Sequence, residues 1–503
     1  MAARFGAGRV KRGLLHFLMG KVVSAVGGLT AVVLVVHGLT VGEFADYSVL
    51  VGMVEMFTAL SGLGLQHVML RYVPELYARY QQYALRQLVY GAFLLRGGVL
   101  VLLLGGAWWG APLFAGWLGM GDAVPAFTVF LLVVGFRSMN QFLSMILESM
   151  LHQGISQAAF SLIAVGRCVG MLWLGHEQAF TLVNVIRVEL VCEVLAGALM
   201  LAGVVVSVRP PAAAAADPEQ HGWLGRNRRA LAGFAGWAYL QHVATLPFGG
   251  TTNRLVGGAM FGSVTMAGFG FAMAIYDYAK RYLPTQLLIG LIRPVVVARY
   301  TSTGDFGRAA ELCEQAMQFN MVLLAGMLAA LFVSGDELLG LVSQGKYTED
   351  SVVLLSVLLV VLMLETQRVV LDVLTQMVNR YDILVPTNLF LSSSVLGGIA
   401  AFPLLGAVAF PLANLAALVI AIARTDRTLA RMGFVYKHDW RGIGRALASL
   451  LLSTLVGKLC RYAGWDWVAA LAVAMAVFAA LFAKYQLRPT VGFARDMIGS
   501  KNT

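Results

Sequence analysis

Ionisable side chains stand inside long apolar stretches of this sequence, and their spacing limits the chemistry open to them. Between residues 124 and 148, Arg137, Asn140, Gln141, Ser144 and Glu148 step by three and four, which places them all on one helical face. Glu365, Arg368, Asp372, Gln376 and Asn379 form a second such stripe. Asp277, Lys280 and Arg281 sit at i, i+3 and i+4, and Glu55, Thr58, Gly62 and Gln66 share a face. Arg96, Arg167 and Arg187 add further cations in other apolar stretches.

An ionisable group at mid-bilayer costs about 2.5–3.5 kcal/mol on insertion scales, so it normally faces a bundle interior or a wet cavity. Arg137 lies roughly 16–20 Å along its helix from either end, too deep for easy snorkelling. Arg137, Arg96, Arg167 and Arg187 find few acids nearby on their own helices, and Glu189 and Glu193 lie on a different face from Arg187. The surplus of base fits a cavity made for an anion, since guanidinium forks suit phosphate oxygens. Arg137, Arg167, Arg187 and Arg96 are thus the candidate anion ligands. The acids Glu55, Asp277, Glu365 and Asp372 are the candidates for holding a coupling proton or Na+. In the competing reading these charges only fix packing, with Asp277 paired to Lys280 or Arg281 and Glu365 to Arg368 within helical reach.

The elements that must position these residues are membrane spans. The chain has 503 residues, of which 59% are hydrophobic and 13% charged, against an apolar share of about 45–50% in soluble domains. Apolar runs of about twenty residues recur from end to end, each enough to cross a hydrocarbon core about 30 Å thick. They fall at 14–37, 47–70, 88–109, 124–148, 158–175, 180–206, 230–256, 264–292, 312–333, 351–376, 384–402, 406–424, 443–463 and 466–484, about fourteen spans in an all-α polytopic protein. Barrel strands would show weak alternation over about ten residues instead.

The net charge of +11 is gathered in alternate loops, which argues for the positive-inside rule and against nucleic acid. Arg4, Arg9, Lys11 and Arg12 precede the first span; Arg71, Arg79 and Arg86 follow the second; Arg209, Arg226, Arg228 and Arg229 follow the sixth. Arg293, Arg299 and Arg308, then Arg424 to Arg445, then Lys484 to Lys501 continue the pattern, which predicts both termini in the cytoplasm. The Pro/Ala-rich stretch 207–229 reads as a linker between an N-terminal lobe of six spans, 1–206, and a second lobe, 230–430. Residues 431–503 add a basic loop, two extra helices and a tail. Tyr47, Glu55 and Arg71 match Phe269, Asp277 and Arg293 at one constant shift, a weak echo of duplication. Cys168, Cys192, Cys313 and Cys460 all lie inside spans at spacings that fit neither zinc nor a redox pair. No phosphate loop, cofactor motif, metal site or catalytic constellation is read, and the "GFGFAM" of residues 268–273 lies within an apolar helix rather than at a strand-to-helix turn.

Residues 40–79, "TVGEFADYSVLVGMVEMFTALSGLGLQHVMLRYVPELYAR", carry Gly42, Glu43, Phe44, Tyr47, Gly62, Leu63, Gly64, Arg71, Pro74 and Glu75. This pattern resembles the opening of bacterial polysaccharide repeat-unit flippases (O-antigen and exopolysaccharide) in the multidrug/oligosaccharidyl-lipid/polysaccharide exporter superfamily. Residues 254–281 are similar to that family's second-lobe entry, with Asn253 and Arg254 where the family carries an acid. The resemblance implies two six-helix lobes around a central cavity. It implies a substrate, an undecaprenyl-diphosphate-linked oligosaccharide, moved from the cytoplasmic to the outer leaflet of the bacterial inner membrane by alternating access. On that reading Arg137, Arg167, Arg187 and Arg96 meet the diphosphate or an acidic sugar. The partners are the polyprenyl-linked oligosaccharide, membrane lipids and polysaccharide polymerase or export machinery.

Three other functions compete. A lipid-sugar glycosyltransferase, polymerase or ligase would use Glu43 and Asp46 on an outer loop, but the largest outer loop, near 334–350, is too short for a catalytic domain. A drug or cation antiporter would want unpaired acids. A lipid II flippase would handle the same lipid diphosphate.

Overall fold

The structure is a computed structural model that describes residues 7–79, 81–209, 222–283, 300, 305–347, 349–378 and 380–485. Arg293, Asn379 and most of the 207–229 linker lie outside the described residues. The described elements are helices, and no strand occurs among them. Ten of these helices are long and apolar enough to cross a membrane, or eleven if the bent pair Val41–Leu60 and Leu65–Ala78 is one span. Among the described residues, individual expected spans differ locally from these helices. The expected span 230–256 is broken after Thr245, where Gly249 takes φ +103, and the helix that holds its first part starts earlier, at Trp223, with Arg226, Arg228 and Arg229 in its first turns. Two expected spans, 384–402 and 406–424, fall in one 50-residue run, Asp382–Arg431. That run folds back at Gly406, which has φ +57.

The chain forms two compact units, Met1–Leu246 with Gly250–Ala267, and Pro247–Gly249 with Gly268–Thr503. The first contains α1 (Ala7–Gly38), α2 (Val41–Leu60), α3 (Leu65–Ala78), α4 (Gln82–Trp109), the short α5 (Ala111–Trp117), α6 (Val124–Ser149), α7 (Gln153–His176), α8 (Leu182–Ser207), α9 (Trp223–Thr245) and α10 (Gly250–Met260). Helix α7 packs along α1 and α8, α6 against α8, α2, α3 and α4, α9 on α3 and α4, and α10 on α2. The unit boundary therefore falls within α11 (Ser263–Tyr282), past the linker, because the helices that follow the linker pack on the first unit.

The quoted motif builds the two ends of α2. At the start, Thr40 Oγ1 accepts from Glu43 N at 3.3 Å while Glu43 Oε2 accepts from Thr40 N at 3.1 Å, a reciprocal cap. The other oxygen of Glu43 accepts from Leu182 N at 3.0 Å and so caps α8 as well. Glu43 is thus a structural tie between two helix N-termini. Glu43→Ala should cost about 1–2 kcal/mol of stability, the loss of a cap, read as a lowered melting temperature of the purified protein. An unchanged melting temperature would remove this role.

At the other end, α2 stops at Leu60 and α3 leaves at 61°. Leu63 and Gly64 take φ of +45 and +68 to make the turn. The backbone of α9 lies directly on the break, since a Cβ at Gly64 would stand 2.0 Å from the Ala235 carbonyl oxygen. Carbonyls freed by the break find donors: the Tyr239 hydroxyl reaches Leu60 O at 3.1 Å, and Arg96 Nη2 reaches Thr58 O at 3.4 Å. Arg71 lies over the Phe234 ring at 5.1 Å, fixing α9 to α3.

The second unit contains α12 (Phe306–Ser343), α13 (Glu349–Met377), α14 (Tyr381–Ser392), α15 (Ser394–Leu405), α16 (Ala409–Arg431), α17 (Trp440–Tyr462) and α18 (Trp467–Tyr485). Helix α12 packs on α13, α17 and α18, α13 on α16, and α15 on α16. The C-terminal pair α17–α18 is tied to α12 at both ends. Glu314 accepts from the Tyr436 hydroxyl and, at 3.1 Å, from Asp439 N, while Asp439 caps α17 through Gly442 N at 3.0 Å. Arg461 pairs with Glu337 at the other end.

Candidate functional site

Four helices of the first unit bring one buried polar cluster together. Helix α6 supplies Arg137 and Asn140, one turn apart, α8 supplies Glu189 and Glu193, also one turn apart, α7 supplies Arg167 and α2 supplies Tyr47. Arg137 Nε donates to Glu193 Oε1 at 2.6 Å, and its Nη2 donates to Glu189 Oε2 at 3.1 Å. Arg167 Nη2 donates to the other oxygen of Glu189 and, at 2.9 Å, to the Tyr47 hydroxyl, which itself donates to Glu189 Oε1 at 2.6 Å. Asn140 Nδ2 donates to Glu193 Oε2 and to the Glu193 carbonyl, both at 2.9 Å.

The charges balance, and every carboxylate oxygen has a donor. The glutamate side chains are 0% and 3% exposed, whereas Arg137 and Arg167 keep 18% and 17%. Arg167 Nε is buried and without an acceptor, so the cluster is not saturated as it stands.

Of the four candidate arginines, Arg137 and Arg167 are therefore brought together on Glu189. Arg96, 2% exposed, donates to Thr58 O and, at 3.3 Å, to Ser138 O, and stacks on the Phe142 ring at 4.9 Å. It holds the broken end of α2 against α6. Arg187 is exposed and donates to Asn184 Oδ1 at 3.2 Å. The five-residue stripe of α6 also divides: Gln141 is exposed, and Glu148 turns to Ser156 at 2.9 Å and Gln157 at 3.4 Å.

The candidate coupling acids are engaged as well. Glu55 is exposed and accepts from the Thr251 hydroxyl within the first unit. In the second unit Glu365 takes Lys280 at 2.7 Å and the Tyr276 hydroxyl, and Asp277 lies in the field of the same lysine. Asp372 pairs with Arg368 at 3.5 Å, while Arg368 also donates to Asn388 Oδ1. Lys280 reaches Glu365 on α13, and Arg368 pairs with Asp372 rather than with Glu365. Among the described residues no group of His, Cys, Asp and Glu is arranged to hold a metal ion. All four cysteines are free, with Cys168 donating to Gly27 O at 2.8 Å.

No family model matches the sequence, and no curated protein does. Solved structures do. A lipid II flippase MurJ in an inward closed conformation aligns with a TM-score of 0.67 at 12% identity, over 96% of this chain and 99% of that one. The two chains share one helical fold. An inward-facing multidrug resistance MATE family transporter of the MOP superfamily aligns at 0.54 and 13% identity, over 82% and 95% of the two chains. A Vibrio cholerae MATE transporter aligns at 0.51 and 12%, over 86% and 98%. Phe269, at the constant shift from Tyr47 seen in the sequence, is a ring without a hydroxyl and is 1% exposed.

Glu189 and Glu193 are the site residues that spacing alone missed. The signal was present: two acids at i and i+4 in one span, and single bases in two others, together sum to zero charge.

Proposed function

We propose that this chain is a transporter of the bacterial inner membrane that moves an undecaprenyl-diphosphate-linked oligosaccharide from the cytoplasmic to the outer leaflet by alternating access. The observation that carries this reading is the pair Arg137 and Arg167, held on separate helices within hydrogen-bond reach of one carboxylate, in a MOP-type fold. The charged head of such a lipid cannot cross hydrocarbon unaided, because a dianion in a medium of low dielectric loses its hydration without compensation. Two guanidiniums offer that compensation with fork geometry matched to phosphate oxygens. The prenyl tail stays in lipid throughout.

A transport role is supported over an enzymatic one by Glu43, whose carboxylate oxygens are both used as helix caps. It is supported over cation export by Glu189 and Glu193, which are neutralised by arginines rather than open to a cationic ligand. Lipid II is the second reading for the cargo, favoured by the likeness to MurJ over 96% of this chain.

Vesicles containing the purified protein and a labelled undecaprenyl-diphosphate oligosaccharide test this directly. Protein-dependent movement of label between leaflets, with no new glycosidic product, is the expected result; product formation without movement would favour the enzyme. Unlabelled lipid II as competitor separates the two cargoes. We also propose that both termini are cytoplasmic, a reading supported by the alternate basic loops. Reporters fused at residue 215 and after Thr503 should both read as cytoplasmic, and an external reading at either overturns the topology.

A further inference from the structure

Glu189 holds the two arginines as one phosphate group of a ligand would. One carboxylate oxygen serves Arg167 and Tyr47, and the other serves Arg137. The Glu189 and Glu193 side chains are 0% and 3% exposed, and those of Arg137 and Arg167 keep 18% and 17%. Groups facing Glu189 are Tyr47 from α2, Arg137 from α6, Arg167 from α7 and Glu193 one turn on along α8.

From this arrangement, and resting on the function proposed above, we infer that Glu189 is a built-in stand-in for the substrate's diphosphate, which occupies the arginine pair until a ligand displaces it. The empty site is then electrically closed. Without Glu189, Arg167 would have no carboxylate partner and Arg137 only Glu193; a buried arginine without counter-charge carries a desolvation penalty of several kcal/mol and would collect whatever small anion is abundant. With Glu189 in place, an incoming anion must take over both guanidiniums at once to repay what it breaks. A group of single charge on one phosphorus replaces one contact and leaves the other arginine to the carboxylate. A diphosphate brings two phosphoryl groups and can engage Arg137, Arg167 and the unfilled Arg167 Nε together. Tyr47 stays behind as a donor to the displaced carboxylate.

The consequence runs against the usual outcome of mutating a binding-site residue. Removing the charge of Glu189 should tighten diphosphate binding. With purified protein in nanodiscs of neutral lipid, Glu189→Gln is expected to bind inorganic pyrophosphate at least about tenfold more tightly than wild type, about 1.4 kcal/mol. Glu193→Gln should tighten it less, because Glu193 touches Arg137 alone among the two arginines. Adding Arg137→Gln to Glu189→Gln should abolish the gain. Geranylgeranyl diphosphate should follow pyrophosphate, whereas nanodiscs containing phosphatidylglycerol should not compete. Equal or weaker pyrophosphate binding by a folded Glu189→Gln protein overturns the inference, and so does equal competition by phosphatidylglycerol, which would mark a general lipid-anion site. If Glu189→Gln does not fold, Glu193→Gln and Tyr47→Phe are judged by the same criterion, the second because it releases Glu189 from its hydroxyl anchor. Wild-type transport that persists while none of these variants gains affinity removes the stand-in and leaves the transport function; absence of wild-type transport removes the function itself.

Discussion

Arg137→Gln is expected to destabilise the protein by about 3–5 kcal/mol, the cost of leaving a buried charge without its partner. Glu193 would lose its 2.6 Å contact and Glu189 one of its two cations, both in positions where water does not replace them. The loss should appear as a large fall in melting temperature in detergent. The double variant Arg137→Gln with Glu193→Gln should recover much of it, because the pair is then removed together and Asn140 can still hold the amide at 193. A single variant that melts like wild type, or a double variant that loses the sum of both singles, would mean that the contact carries little energy.

The second large effect is expected at Gly64→Ala. The new methyl carbon would stand 2.0 Å from a backbone oxygen of α9, and the residue would have to hold φ +68 as well. A loss of more than about 4 kcal/mol, or failure to recover folded protein, follows from a clash that no side-chain rotation relieves. No substitution at Ala235 should rescue it, since the clashing atom belongs to the main chain. Gly42→Ala is the matched control in the same motif, with nothing within 4 Å of the added carbon, and should be mild. Recovery of Gly64→Ala in normal yield and with normal melting would show that the α2–α3 break does not depend on this approach.

These two residues also mark how far the sequence could be read. The helical class and most spans were legible because lipid allows few backbone solutions and apolar length is a one-dimensional signal. The motif from Gly42 to Gly64 was visible as a pattern, yet its physics needed coordinates: Glu43 caps a helix 139 positions away, and Gly64 accommodates the carbonyl of Ala235. Arg137 and Arg167 were visible as buried cations. Their partners were not, because helical periodicity orders residues around one helix and says nothing about which neighbour each face meets. Arg96 fell into the same group by composition and was separated from it only by its acceptors, two backbone carbonyls, Thr58 O beside the α2–α3 break and Ser138 O in mid-α6. The pairing of Lys280 with Glu365 across α11 and α13 was out of reach for the same reason.

The most direct test of the account is the rate at which labelled undecaprenyl-diphosphate oligosaccharide changes leaflet in vesicles carrying wild type, Arg137→Lys or Arg137→Gln at matched amounts of folded protein. Lysine keeps the charge and loses the fork, and glutamine loses both. The account predicts wild type fastest, lysine intermediate and glutamine slowest, with glutamine down by at least about tenfold, or about 1.4 kcal/mol. Equal rates in all three would contradict it and leave Arg137 as an interhelical tie, with the anion handled elsewhere.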